Sequence, residues 1–197
     1  MTKTRMGRPR EFDEETVLDA AMRVFWDKGY EGTSMADLAN VMKLSPSSIY
    51  AAFGDKKALF QRAADKYAKD ATDFYQGSLA QPTFRAVIQD LLAKTVDYLT
   101  TPGHPRTCFT LGAMPFSSDT EPIRLMLLKV RKRGQAALKA RLEIARKSGD
   151  LSSDTDAADL ARFISVVIGG LVIQAEGGAS KAEMRRTASL TLRYLGF

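Results

Sequence analysis

The chain has 197 residues, 45% of them hydrophobic, which is enough to bury the core of one or two domains and sets it apart from disordered sequences. Its lone cysteine, Cys108, and lone histidine, His104, exclude a disulfide framework and a zinc site of the usual Cys/His kind, and they point to a reducing cytoplasm. The net charge of +6 collects in one stretch, with 10 basic and 4 acidic side chains in residues 101–150 against 9 and 9 in residues 1–60, so the total by itself does not locate a nucleic-acid site.

Long runs of Ala, Leu, Lys, Arg, Asp and Glu, with sparse Gly and Pro, predict an all-α fold. Residues 1–10 form a basic arm carrying Lys3, Arg5, Arg8 and Arg10 and no acid. No apolar signal core follows it, and the longest apolar run, 163–173, is shorter than the roughly 20 residues a bilayer requires, so a cytoplasmic protein with no membrane partner is expected. Val17, Leu18, Ala21, Val24 and Phe25 then share one face of a first helix, with Asp13 as cap, Glu14 and Glu15 at its positive end, and Gly29 at its close. Ser34 is placed to cap a second helix of about two turns. Ser45 is placed to cap a third, in whose first turn Pro46 fits because no amide donor is needed there. Ile49 and Phe53, four apart, bury one side of that helix and leave a small polar face outward, the pattern of a helix-turn-helix unit. Asp55 opens a longer helix with Leu59, Ala63 and Tyr67 on a common face. Beyond Pro82 the periodicity predicts helices over about 83–100, 123–147, 156–176 and 181–195, separated by loops rich in Gly, Pro, Ser and Asp.

Residues 29–60, "GYEGTSMADLANVMKLSPSSIYAAFGDKKALF", closely resemble the DNA-binding signature of the tetracycline-repressor (TetR-like) family. The resemblance implies an N-terminal three-helix DNA-binding domain and a C-terminal helical domain for effector binding and dimerisation. The corresponding division is 1–10 for the arm, 11–55 for the helix-turn-helix domain and 56–197 for the rest. It also implies a regulator, most simply a ligand-released repressor, that acts as a homodimer on a palindromic operator in double-stranded DNA.

Short hydroxyl side chains at helix starts approach phosphate without obstruction, which makes Thr33, Ser34, Ser45, Ser47 and Ser48, together with Pro46 in the first turn of the third helix, the expected DNA-facing set. The resemblance adds the Tyr50 hydroxyl and the Lys56 ammonium as backbone contacts. The family's usual glycine at the turn is Lys43 here, and Ala51 and Ala52 stand where relatives carry larger polar residues, so few side chains reach base edges and weight shifts to DNA shape and the arm. Within the arm, "GRPR" is similar to minor-groove hooks, with Arg8 and Arg10 entering the groove; a basic tail attracting phosphate nonspecifically is the plainer reading.

"LARFISVVIGGLVIQA" is apolar nearly all round and so is expected to be buried, against its own domain or a second copy, with Gly169 and Gly170 marking close helix approach. The resemblance makes this helix and the last one the dimer interface, through Leu160, Ile164, Val167, Ile168, Leu171, Leu190 and Tyr194. Around "PRTCFTLGAMPF", residues Cys108, Phe109, Met114 and Phe116, joined by Phe74, Tyr98 and Phe163, suit either an effector pocket for an unknown small molecule or plain core. Cys108 reads as a thiol sensor or as a small hydrophobe. No nucleophile–base constellation, phosphate-cradling loop or carboxylate cluster is visible, so neither catalytic residues, a cofactor nor a metal is expected. The basic helix over 129–147 reads as a solvated face, with a protein- or membrane-binding surface as the alternative.

Overall fold

Seven helix starts carry a side-chain cap, and these caps fix the architecture of the computed structural model, which describes residues 12–113 and 120–196. Asp13 accepts from the Glu15 and Thr16 amides to open α1 (Glu14–Gly32). Ser34 opens α2 (Met35–Met42) with a full capping box to Asp37, and Ser45 opens α3 (Pro46–Phe53). Asp55 caps α4 (Lys56–Leu79) and Thr83 caps α5 (Phe84–Leu99). After the short α6 (Phe109–Gly112) comes α7 (Glu121–Lys147), whose start has no side-chain cap. Asp156 and Ser180 then cap α8 (Ala157–Glu176) and α9 (Lys181–Tyr194). Each cap satisfies amides that the first turn leaves without an intrahelical partner. No strand occurs among the described residues.

Two backbone positions shape the N-terminal unit. Gly29, at φ 71° and ψ 171°, breaks α1 where the sequence places its end, and the chain regains one short turn before Thr33. Lys43, at φ 54° and ψ 36°, closes α2 in the left-handed region, the only non-glycine among the described residues with positive φ.

The helices enclose two apolar cores. The first gathers Phe25, Trp26, Leu38, Ile49, Phe53, Leu59 and Phe60 from α1 to α4, and it is completed by Phe109 and Ala113 beside α6 and Ile123 and Leu127 of α7. The second joins α5, the C-terminal half of α7, α8 and α9 around Leu91, Leu92, Leu138, Leu142, Ile164 and Leu171. Helix α4 spans both: Leu59, Phe60, Ala63 and Ala64 belong to the first, whereas Phe74, Tyr75 and Leu79 pack against the second. The first turns of α4 are thus structural parts of the unit that α1 to α3 build. Fully buried side chains such as Phe25, Ile49 and Phe60 each contribute about 1.5–3 kcal/mol of transfer free energy.

Although α8 is long and apolar enough by length and composition to cross a membrane, it packs against α5, α7 and α9 along one face. Its other face is open.

Candidate DNA-binding face and effector cavity

At the start of α3 the Ser45 hydroxyl accepts from the Ser48 amide at 3.1 Å and lies 2.9 Å from both the Ser47 and Ser48 hydroxyls. Ile49 and Phe53 anchor the helix from behind. The exposed side presents Pro46, Ser47, Tyr50 and Ala51, with Tyr50 at 52% exposure although its ring is large and apolar. A helix N-terminus with short hydroxyls and no acidic residue in its first turn favours an anion. Beside it, Ser34 is exposed, but its hydroxyl is engaged with Asp37, which also takes the Lys28 ammonium at 2.6 Å. These Lys28 and Ser34 hydrogen bonds hold the Asp37 carboxyl well below the usual carboxylate range.

Lys56 stands at the start of α4, 4.6 Å above the Tyr30 ring. Burial against that ring lowers its pKa, with Glu31 opposing. The cation is therefore held at a defined place on the same side as the α4 N-terminus. Thr33 differs from the sequence-based expectation. It is 1% exposed, and its hydroxyl donates to the Gly29 carbonyl at 2.6 Å, satisfying a backbone group freed by the break in α1. Its side chain is not available to phosphate. Arg8 and Arg10 lie outside the described residues.

A cavity of about 510 Å³ opens between α4, α7 and α8. Ala71, Leu79, Leu128, Ile168 and Val172 give it apolar walls, and Tyr67, Tyr75, Cys108 and Thr110 supply polar atoms. The Cys108 thiol sits 3.2 Å from the Tyr67 hydroxyl and 3.1 Å from that of Thr110. Burial, with Cys108 second, drives the Tyr67 phenol well above its ordinary value. Of the described residues expected to line a pocket, only Cys108 does so. Phe109 is buried in the first core, stacked on Phe60 and Tyr67. Phe74 and Tyr98 pack against core residues, and Phe163 points outward at 45% exposure. Met114 and Phe116 lie outside the described residues. Sequence reasoning placed Tyr67 on a common face with Leu59 and Ala63 but not at a pocket, and passed over Ala71 and Tyr75, although the four-residue spacing continues along α4.

Between cavity and DNA-facing unit runs the segment 104–112. The Trp26 indole N–H donates to the Thr107 carbonyl at 3.0 Å, while its ring meets Tyr67, His104 and Phe109 edge-on at 5.0–5.7 Å. The Thr107 hydroxyl bonds Glu176 at the end of α8, and the Arg106 guanidinium bonds the Ala179 carbonyl. Gly112 is required here, because a Cβ at that position would meet the Thr107 side chain at 2.8 Å.

On α8 and α9, Phe163, Val166, Ile173, Leu190 and Tyr194 form an outward apolar face. Ile164 and Leu171, expected at a subunit interface, are instead at most 1% exposed in the chain's own core, and Leu160, Val167 and Ile168 are half-buried against it. Helical geometry accounts for this: Ile164, Leu171 and Ala175 fall on one side, and Phe163, Val166, Gly170 and Ile173 on the other. A Cβ on Gly169 or Gly170 would meet nothing within 4 Å, so neither glycine serves close helix approach inside the chain.

Residues 17–63 match the family described as bacterial regulatory proteins, tetR family, and residues 86–190 match the tetracyclin repressor-like C-terminal domain. The HTH-type transcriptional repressor ComR of Escherichia coli (strain K12) is 29% identical over 194 residues, 97% of this chain and 92% of ComR. The repressor BdcR of the same organism is 41% identical over 61 residues, 31% of either chain. Among solved structures, the TetR family transcriptional regulator CifR, a cysteine-substituted form complexed with 26-bp double-strand operator DNA, is 35% identical with a TM-score of 0.90. That match covers 94% of this chain and 98% of CifR.

Proposed function

The chain belongs to the tetracycline-repressor (TetR) family of DNA-binding transcriptional regulators, and from that premise we propose that it is a ligand-released repressor acting in the cytoplasm as a homodimer on a palindromic operator. The observation that carries this reading is the exposed, acid-free start of α3, where Ser45, Pro46, Ser47, Ser48 and Tyr50 gather at the positive end of the helix while Ile49 and Phe53 hold it from behind. In this reading α3 lies in the major groove. Tyr50 and Lys56 bond phosphates on either side, Ser34 borders the backbone, and Arg8 and Arg10 reach the adjacent minor groove.

Two copies joined through Phe163, Val166, Ile173, Leu190 and Tyr194, with the half-buried Leu160, Val167 and Ile168 beside them, give two reading heads at a fixed spacing. The operator then mirrors the two-fold axis of the protein. A ligand in the cavity bears on α4, which shares both cores, and on Cys108, which directly follows the Trp26 acceptor Thr107. Binding that favours another spacing of the heads lowers operator affinity by the ligand's differential affinity for the two states.

Selection of bound fragments from random duplex DNA by the purified protein, followed by a salt titration on the selected site, tests the proposal. A palindrome is expected, with log affinity falling by about 0.9 per phosphate contact for each decade of salt. Indifference to sequence, or a selected site without two-fold symmetry, overturns it.

A further inference from the structure

Among the described residues, the charged side chains that border the cavity between α4, α7 and α8 are all of one sign. Arg131, Lys132 and Arg133 border it from α7, and among the described residues no aspartate or glutamate does. The ion pairs of α7 among those residues, Glu121–Arg124 and Glu143–Arg146, sit toward its two ends and leave the three central cations out. The Tyr75 ring lies against α7 at Gly134, where a Cβ would make ordinary van der Waals contact with it at 3.6 Å. Arg131 and Tyr75 both border the cavity, and burial, with Cys108 second and Arg131 opposing, pushes the Tyr75 phenol up to about 12. At neutral pH the guanidinium and the phenol are thus both hydrogen-bond donors bordering the cavity. Across from them Gly169 keeps the α8 wall recessed, since a Cβ there would have nothing within 4 Å. The remaining wall is largely aliphatic.

We propose that this cavity takes a small amphipathic organic anion, an aryl or medium-chain carboxylate, with its carboxylate on Arg131 and Tyr75 and its apolar body along Leu79, Ile168 and Val172. The inference rests on reading the cavity as the effector site. It follows from complementarity: a volume of about 510 Å³ is of ligand size, the wall suits a hydrocarbon, and a planar guanidinium with a neighbouring O–H matches a carboxylate. A neutral ligand of the same shape forgoes the charge-assisted bonds, and a cation meets three like charges.

The test uses the full-length protein without DNA, titrated calorimetrically with octanoate and naphthoate and, in parallel, with octanamide and naphthamide. Saturable binding of at least one acid, about ten-fold or more tighter than its amide, is expected, since a hydrogen bond to a charged group is worth more than a neutral one. Arg131→Gln should bring acid and amide to parity, Arg131→Lys should keep part of the preference, and Gly169→Leu, which fills the recess, should weaken acid and amide alike. Amides that bind as well as the acids, no saturable binding of either acid, or a preference untouched by Arg131→Gln overturns the proposal. Operator affinity measured alongside separates the two readings. Acid binding that leaves operator affinity unchanged supports the ligand class and removes the effector role, whereas operator release by the amides alone overturns the ligand class and retains that role.

Discussion

Thr33 and Tyr50 carry similar hydroxyl groups close to the same surface, and the structure assigns them opposite tasks. Thr33 is turned inward onto the Gly29 carbonyl, while Tyr50 stands half-exposed on α3. Thr33→Val, which keeps the shape and deletes the hydroxyl, is therefore expected to lower stability by roughly 1–3 kcal/mol through an unpaired buried carbonyl, with operator affinity unchanged under conditions where the protein stays folded. Tyr50→Phe should do the reverse. Its melting temperature stays constant and binding weakens on all duplexes alike, because a phosphate contact carries no sequence information. Thermal melts and a binding titration on two unrelated sequences check both. Lys43 offers a third case. Its left-handed backbone costs a non-glycine residue about 1 kcal/mol, so Lys43→Gly should raise the melting temperature and Lys43→Val should lower it. The Lys43 conformation was legible through the family resemblance, which puts a glycine at that turn. The Thr33 orientation was not, because it depends on where the break in α1 leaves a carbonyl.

Helix starts were the most legible elements because caps are local chemistry. Asp13, Ser34, Ser45 and Asp55 cap where their side chains predict, each accepting from an amide two or three residues on. Those caps also set the response to acid. Hydrogen bonds from Thr16 and Glu15 lower the Asp13 pKa, the Lys28 and Ser34 bonds lower that of Asp37, and helix amides lower that of Asp156. Ser180 does the same for Glu183. A carboxylate whose folded pKa is depressed contributes stability that is complete above its unfolded value and is lost as the pH falls through the folded one. The melting temperature should accordingly stay level from about pH 7 to about pH 5 and drop below about pH 4. Asp37→Asn should flatten that acid limb, and Ser34→Ala should cost about 1 kcal/mol at neutral pH by removing the box. What the sequence left unread at this level was α8. Its hydrophobicity runs all round, so periodicity could not divide it into a side for Ile164 and Leu171 and a side for Phe163, Val166 and Ile173. That division comes from the helices that pack on it. For the same reason the cavity could not be drawn from a list of aromatic and sulfur side chains: Phe109 fills space between α1, α4 and α6, whereas the lining of α4 comes from the Tyr67–Ala71–Tyr75 row.

The outward face of α8 and α9 bears on how the molecule works as a unit. Exposed apolar side chains in such a row normally mark a protein–protein contact, and here they sit on helices of the second core rather than of the unit that holds α3, so a second copy there would set the distance between two reading heads. Substitutions on the two sides of α8 should therefore separate assembly from folding. Val166→Glu or Ile173→Glu places a charge in the proposed contact while leaving the core of each chain intact. A folded monomer is expected by analytical ultracentrifugation, with unchanged far-ultraviolet dichroism and a melt that no longer rises with protein concentration. Ile164→Ala instead hollows the second core and should cost about 2–5 kcal/mol whatever the assembly state. The monomeric variant should keep nonspecific attraction to DNA, because each α3 and Lys56 survives, yet its salt slope should fall to about half as half of the phosphate contacts disappear. A variant that stays dimeric with both glutamates in place would move the contact elsewhere on the surface. A monomer that retained the full slope would mean that one reading head already makes every phosphate contact, and the two-fold operator would lose its physical basis.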